Sequence, residues 1–130
     1  MFNNTLAVFL GGGFGSLARY GVSKLVPLFI PGSFPFGVLI ANSLSCILVG
    51  IISTVGFSKP FSDIYFRHLL IIGFCGGFST FSAFSFDTVE LVRIGNYFYA
   101  TLNIIFNLML SFASIVFGIF LSSKIFSSFF

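Results

Sequence analysis

Charged residues divide this chain into long apolar stretches. Uncharged runs cover residues 1–18, 25–58, 69–86 and 94–123. At 1.5 Å per residue, a helix needs about 20 mainly apolar residues to cross a hydrocarbon core about 30 Å thick. The runs therefore predict four spanning helices, over 4–22, 36–56, 65–91 and 97–122. They are too long and too continuously apolar for barrel strands, which alternate polar and apolar positions. Pro27, Pro31, Gly32 and Pro35 punctuate the first connection, and Pro35 suits the first turn of the second helix. Ser58-Lys59-Pro60 is expected to end that helix, and Gly95-Asn96 marks the third connection. Such short links leave no room for an extramembrane domain, which places the activity within the membrane or at its surface. No cleavable signal peptide is expected, because Met1 to Asn4 lacks a basic opening.

Composition narrows the class. The chain has 130 residues, the size of one domain, with 57% hydrophobic and 7% charged residues. Its mean hydropathy is +1.11. Soluble domains carry roughly 25% charge. Six basic and three acidic side chains cannot cover a soluble surface, and disordered chains are polar rather than apolar. Nucleic-acid binding is excluded as well, since the net charge of +3 comes from scattered residues with no basic run. The aromatics are 22 Phe and 4 Tyr with no Trp, so most rings must face lipid or other helices. Cys46 and Cys75 lie in apolar stretches with no Cys-x-x-Cys or Cys/His spacing, and read as small buried hydrophobes.

Charge gives an unusual topology. Four spans put both termini on one side, together with Lys59, Arg67 and Lys124. Arg19, Lys24 and Arg93 fall on the other side. Orientation normally follows an excess of Lys and Arg on the cytoplasmic side. Here the count is three against three. Discounting Arg19 and Arg67 as snorkelling residues keeps the balance. A chain that inserts both ways and pairs with itself antiparallel is one reading of that balance. Gly11 and Gly15 form a Gly-x-x-x-Gly pair, which predicts close helix packing rather than an activity.

The third helix is the most informative. It reads Gly73-Phe74-Cys75-Gly76-Gly77-Phe78-Ser79-Thr80-Phe81-Ser82-Ala83-Phe84-Ser85. Glycine costs about 1 kcal/mol against alanine in a helix interior, and Ser79 or Thr80 is suited to cap a second half-helix. A break near the bilayer midplane is therefore predicted. Freed backbone groups at that depth need cover from protein or a wet cavity, and carbonyls at the end of a half-helix attract cations. A packing kink with satisfied hydroxyls is the plain alternative.

Polar stripes run along two other helices. Asn103, Asn107, Ser111, Ser114 and Gly118 share one face of the fourth helix, and Asn42 and Ser45 share one face of the second. Interhelical hydrogen bonds alone could explain them, at about 0.6 kcal/mol each. The stripes contain no acid: Asp63, Asp87 and Glu90 all sit near helix ends. Cation and proton pathways usually carry an embedded carboxylate. Amides, hydroxyls and ring edges suit an anion better. Phe81 and Phe84, at i and i+3, share a face, and their ring edges are the positive part of the quadrupole.

Three segments together resemble the Fluc (CrcB) fluoride channel family. They are Gly11-Gly12-Gly13-Phe14-Gly15-Ser16-Leu17-Ala18-Arg19-Tyr20, Pro35-Phe36-Gly37-Val38-Leu39-Ile40-Ala41-Asn42, and the Gly-Gly-x-Ser/Thr-Thr-Phe-Ser-x-Phe run at 76–84. The resemblance spans nearly the whole chain. It implies an all-α membrane protein of four transmembrane helices, the third broken, forming an antiparallel dual-topology homodimer with two fluoride pores. It implies a multi-pass protein of the bacterial plasma (inner) membrane. There it would export fluoride passively and confer fluoride resistance. Phe81 and Phe84 would be the pore phenylalanines and Asn42 the pore amide. Asn103, Asn107 and Ser111 would form the helix-four track, with Ser82 and Ser85 beside the phenylalanines and Arg19 near a pore mouth. Backbone carbonyls of Gly76 and Ser79 from both subunits would hold a central structural sodium ion (Na+).

The sequence departs from the family pattern at Val38 for the usual Thr, Ser45 where Gly is common, and Ser79 for the first Thr of the pair. Asp87 stands in the Glu position and Asn107 where Ser is frequent. Val38 and Asn107 bear on conduction rate more than on anion choice. Some members pair with a second, paralogous chain, so a heterodimer is the variant assembly. No phosphate-binding loop follows the glycines at 11–15. Two rival readings are a small dual-topology multidrug antiporter and a non-transporting membrane subunit. The first resembles proteins with a Glu in helix one, absent here; the broken third helix argues against the second.

Overall fold

The computed structural model describes residues 2–55 and 64–127, and among these no strand occurs. Helix α1 covers Phe2–Phe29 and α2 covers Phe36–Val55. The third stretch is composite: α3 is Ile64–Arg67, a π-wound segment π1 is His68–Cys75, and α4 is Gly76–Phe78. After a break come α5, Phe81–Arg93, and α6, Tyr97–Ser127. Ser58-Lys59-Pro60 and Asp63 lie outside the described residues.

Three helical stretches are long and apolar enough to cross a membrane: Phe36–Val55, Ile64–Arg93 taken through its break, and Tyr97–Ile125. Helix α1 is long enough, but its glycines, Asn3, Asn4, Arg19 and Lys24 dilute its apolar character. It also runs past residue 22, where the sequence suggested an end. Arg19 and Lys24 do not stop it. Lys24 Nζ sits 5.6 Å from the Tyr20 ring centroid, as a snorkelling cation does. Pro27 falls in the last turns, and Ile30 N–H still donates to Val26 O at 2.9 Å beyond it. Most of the large exposed side chains are apolar, Phe9, Phe14, Phe98 and Phe112 among them. Water would not tolerate such a surface, whereas lipid does.

Two glycine crossings set the packing. A Cβ on Gly73 would lie 3.0 Å from Gly11 Cα, and one on Gly15 would run into the Phe74 carbonyl. The Gly-x-x-x-Gly pair thus serves an interface within this chain, between α1 and the first half of the third stretch. At the second crossing, a Cβ on Gly50 would stand 3.0 Å from Gly118 Cα. Asn42 meets Asn107 earlier along the same two helices, so α2 and α6 run in the same direction. Their shared seam places the polar faces of both helices against each other.

The connections follow local rules. Helix α5 ends in a Schellman motif: Asn96 N–H donates to Leu91 O at 2.8 Å and Gly95 N–H to Val92 O at 3.0 Å. Gly95 takes the required left-handed conformation, with φ of 77°. The Asn96 side chain then caps α6, accepting from Tyr99 N–H at 3.2 Å. Phe34 anchors the loop before α2, edge-on to Tyr99 at 5.7 Å.

Candidate functional site

The predicted break is present at Ser79–Thr80, where both residues are extended. Cys75 O absorbs the end of the first half, accepting from Ser79 N–H, Ser79 Oγ and Ser45 Oγ, each at 2.9 Å. Thr80 caps the second half: its Oγ1 accepts from Ala83 N–H at 3.1 Å. Ser82 Oγ lies 3.1 Å from the Thr80 hydroxyl.

Asn42 of α2 holds the break. Its Oδ1 accepts from Thr80 N–H at 2.7 Å, and its Nδ2 donates to Thr80 O at 3.3 Å. That backbone N–H can only donate, so it fixes which end of the Asn42 amide faces it. Every later amide follows. Asn42 Nδ2 donates to Asn107 Oδ1 at 3.0 Å, and Asn107 Nδ2 donates to Asn103 Oδ1 at 2.8 Å and to Asn103 O at 3.1 Å. Asn103 Nδ2 donates to Thr88 Oγ1 at 2.9 Å, and the Thr88 hydroxyl donates to Phe84 O at 2.8 Å. The result is a one-way chain of donors from the break to the α5 backbone. Its amides are buried, with exposures of 9% for Asn42, 4% for Asn107 and 0% for Asn103. Asn42 and Asn107 spend their amide hydrogens within the chain. Asn103 spends one.

The two carbonyls expected to hold sodium fit that role by hydrogen-bond accounting. In an unbroken helix Gly76 O would accept from Thr80 N–H, and Ser79 O from Ala83 N–H. Both donors are diverted, the first to Asn42 Oδ1 and the second to Thr80 Oγ1. Two hard oxygen donors are left for a hard cation, and Gly76 is exposed at the chain surface. Among the described residues there is no group of three His, Cys, Asp or Glu that could hold a metal through side chains.

The phenylalanines behave differently from each other. Their ring centroids are 5.3 Å apart, yet Phe84 is 8% exposed and Phe81 75% exposed. Ser85 and Ser111 are half-buried and Ser82 is exposed. Among the described residues, the hydrogen-bond partner of the Ser82 hydroxyl is Thr80. Arg19 is half-buried on α1, and no hydrogen bond joins it to the amides. Two further residues belong to this polar seam. Thr88, one turn after Phe84, closes the amide chain. Ser122, one turn after Gly118, is fully buried with its hydroxyl unpartnered. The spacing of the helix-four stripe extends to Ser122, so that signal was available. Thr88 gave none, because a lone threonine on an apolar helix is ordinarily bonded to its own backbone.

The family model described as CrcB-like protein, Camphor Resistance (CrcB), matches residues 6–119. A relative from Coxiella burnetii (strain CbuK_Q154), named fluoride-specific ion channel FluC, is 40% identical over 94% of this chain and 99% of its own length. Relatives of the same name from Pyrococcus abyssi (strain GE5 / Orsay) and Dehalococcoides mccartyi (strain CBDB1) are each 36% identical. They match 92% and 87% of this chain, and 96% and 87% of their own lengths. With a match of this extent on both measures, the chain belongs to the CrcB family.

Proposed function

We propose that this chain is a fluoride-selective ion channel that lets cytoplasmic fluoride leave passively and so confers fluoride resistance. The observation that carries the reading is the buried, acid-free line of amides and hydroxyls from Asn42 to Thr88, which leaves one Asn103 N–H without a protein acceptor among the described residues. It lies in a protein that aligns almost end to end with a relative named as a fluoride-specific channel. A small anion holds its water tightly and must be offered donors in exchange. An embedded carboxylate would repel it.

The chemistry of the route is physical rather than covalent. Hydrogen fluoride crosses lipid as a neutral acid and ionises in the neutral cytoplasm. The anion is then trapped. An open path lets a negative-inside potential drive it out, with about 2.3 kcal/mol per charge for each 100 mV. Phe81 and Phe84 offer ring edges, Asn42, Asn103, Asn107 and Ser111 form the polar track, and Ser82 and Ser85 flank the rings. Arg19 attracts the anion near the mouth.

The working unit in this reading is an antiparallel dual-topology homodimer in the bacterial plasma (inner) membrane, with α1 as the fourth span. The balanced Lys and Arg count supports it. So does Phe81, which projects from the single chain as if to complete a path in its partner. Gly76 and Ser79 carbonyls from the two chains would hold a structural sodium ion, which would neutralise the oxygen-lined breaks where they meet.

The test is fluoride efflux from liposomes containing the purified chain, read with a fluoride electrode and repeated with chloride. Rapid fluoride efflux without matching chloride efflux is expected. Folded protein that passes neither ion, alone or with a paralogous chain added, would overturn the reading. Activity only with the paralogue would replace the homodimer by a heterodimer.

A further inference from the structure

The amide chain has two ends, and they are unlike. At the break, Thr80 N–H fixes its polarity. At the other end Asn103 has two amide hydrogens and one acceptor, Thr88 Oγ1 at 2.9 Å. Its side chain is wholly buried, and among the described residues no second acceptor meets that nitrogen. A buried N–H with no acceptor is costly, and an arriving anion would relieve that cost. Asn107 Nδ2 anchors the Oδ1 end of this amide at 2.8 Å, and the anchor of its nitrogen end is Thr88. Its own proton is committed to Phe84 O at 2.8 Å, so its oxygen can only accept from Asn103.

We infer that Thr88 is a positioning residue of the anion path, which holds the Asn103 amide so that its second N–H stays available to a small anion beside Phe84. The inference rests on the channel reading above and assigns that path a residue that need not itself touch the ion. The geometry also joins two elements. Thr88 ties the helix that carries both phenylalanines to the polar face of α6. Without the Thr88 oxygen, the Asn103 amide is anchored at its Oδ1 alone, by Asn107 Nδ2 at 2.8 Å. The directed chain then stops at Asn103, with neither of its N–H groups held in place.

Two substitutions separate orientation from packing. Thr88→Val keeps the shape and removes the hydroxyl, while Thr88→Ser keeps the hydroxyl and removes a methyl. In liposomes, Thr88→Val should slow fluoride efflux roughly tenfold, the lower end of what losing an orienting outer partner costs at other ion sites. Thr88→Ser should stay within roughly twofold of the parent, a small loss since the oxygen remains. A second readout does not depend on either variant folding. In 15N-labelled protein, the Asn103 side-chain amide signal should move on titration with sodium fluoride and stay still with sodium chloride. An Asn103 signal indifferent to fluoride overturns the inference. So does Thr88→Val conducting like the parent, or Thr88→Ser as slow as Thr88→Val. A parent chain that passes no fluoride at all would instead remove the channel reading on which the inference stands.

Discussion

Asn42 grips Thr80 from both sides, accepting its N–H at 2.7 Å and donating to its carbonyl at 3.3 Å. One side chain on α2 thus gives Thr80 N–H the acceptor it loses at the break, while Gly76 O goes without its helical donor. The same amide begins the donor chain, so the clamp and the polar track are chemically one object.

Two substitutions at this position should part these roles. Asn42→Leu leaves Thr80 N–H buried without an acceptor, a loss of about 1–3 kcal/mol. It should lower the thermal midpoint in detergent and abolish rapid efflux. Asn42→Asp keeps an oxygen for Thr80 N–H but turns an acceptor toward Asn107 Oδ1 and adds negative charge. Its expected signature is a smaller thermal shift with efflux equally lost. An aspartate variant that conducts fluoride normally would detach Asn42 from the pathway.

Phe81 and Phe84 share a face yet differ in burial, and that difference is measurable. Phe81→Ile alters an exposed ring, so the thermal midpoint should hold while fluoride efflux falls at least tenfold. Phe84→Ile removes part of a buried ring as well, and should cost about 1 kcal/mol or more of stability along with the flux. Normal efflux through the Phe81 variant would take that ring out of the path.

Much of this arrangement was legible in the sequence, and what escaped has physical causes. Uncharged run length located α2, the third stretch and α6, because lipid tolerates few charges. The break was readable from Gly76, Gly77, Ser79 and Thr80, residues that favour caps over helix interiors. The far end of α1 was not readable, since Arg19 and Lys24 look like a boundary in linear order, yet the helix continues past both to Phe29. Nor was the π winding of His68–Cys75 readable, since no residue pattern in that apolar segment marks it. The amide stripe was visible as a face, whereas its polarity was not. That polarity comes from one backbone N–H brought to Asn42 across 38 positions.

Glycine substitutions should sort by what a methyl group meets. Gly50→Ala would press its Cβ into the Ile115 carbonyl and onto Gly118. Backbone cannot yield as a side chain does, so a loss of about 1–3 kcal/mol is expected. Gly21→Ala meets nothing within 4 Å and should be neutral or gain about 0.5–1 kcal/mol from helix propensity. Thermal unfolding in one detergent compares them directly. Equal midpoints for the two variants would contradict the α2–α6 crossing.

If Gly76 and Ser79 carbonyls hold a sodium ion, stability should depend on the cation present. A site filled at a hundred times its dissociation constant adds about 2.7 kcal/mol. Exchanging sodium for N-methylglucamine should therefore lower the thermal midpoint, and restoring sodium should recover it. A midpoint unchanged by the exchange would argue against a bound ion.

The balanced charge count makes a stronger demand. If the active unit needs chains of both orientations, then breaking the balance should abolish activity without touching the pore. Ser33 and Ile94 lie in exposed loop positions on the same side as Arg93. A Ser33→Lys, Ile94→Lys double variant should insert with that side facing the cytoplasm, because nearby basic residues are retained there. Accessibility of a terminal tag should change from two-sided to one-sided, and efflux should be lost. Asn3→Lys with Ser123→Lys should bias a second chain the opposite way and be equally inactive alone. Producing the two biased chains together should restore efflux, since each supplies the orientation the other lacks. A uniformly oriented chain that conducts by itself would rule out the antiparallel pair.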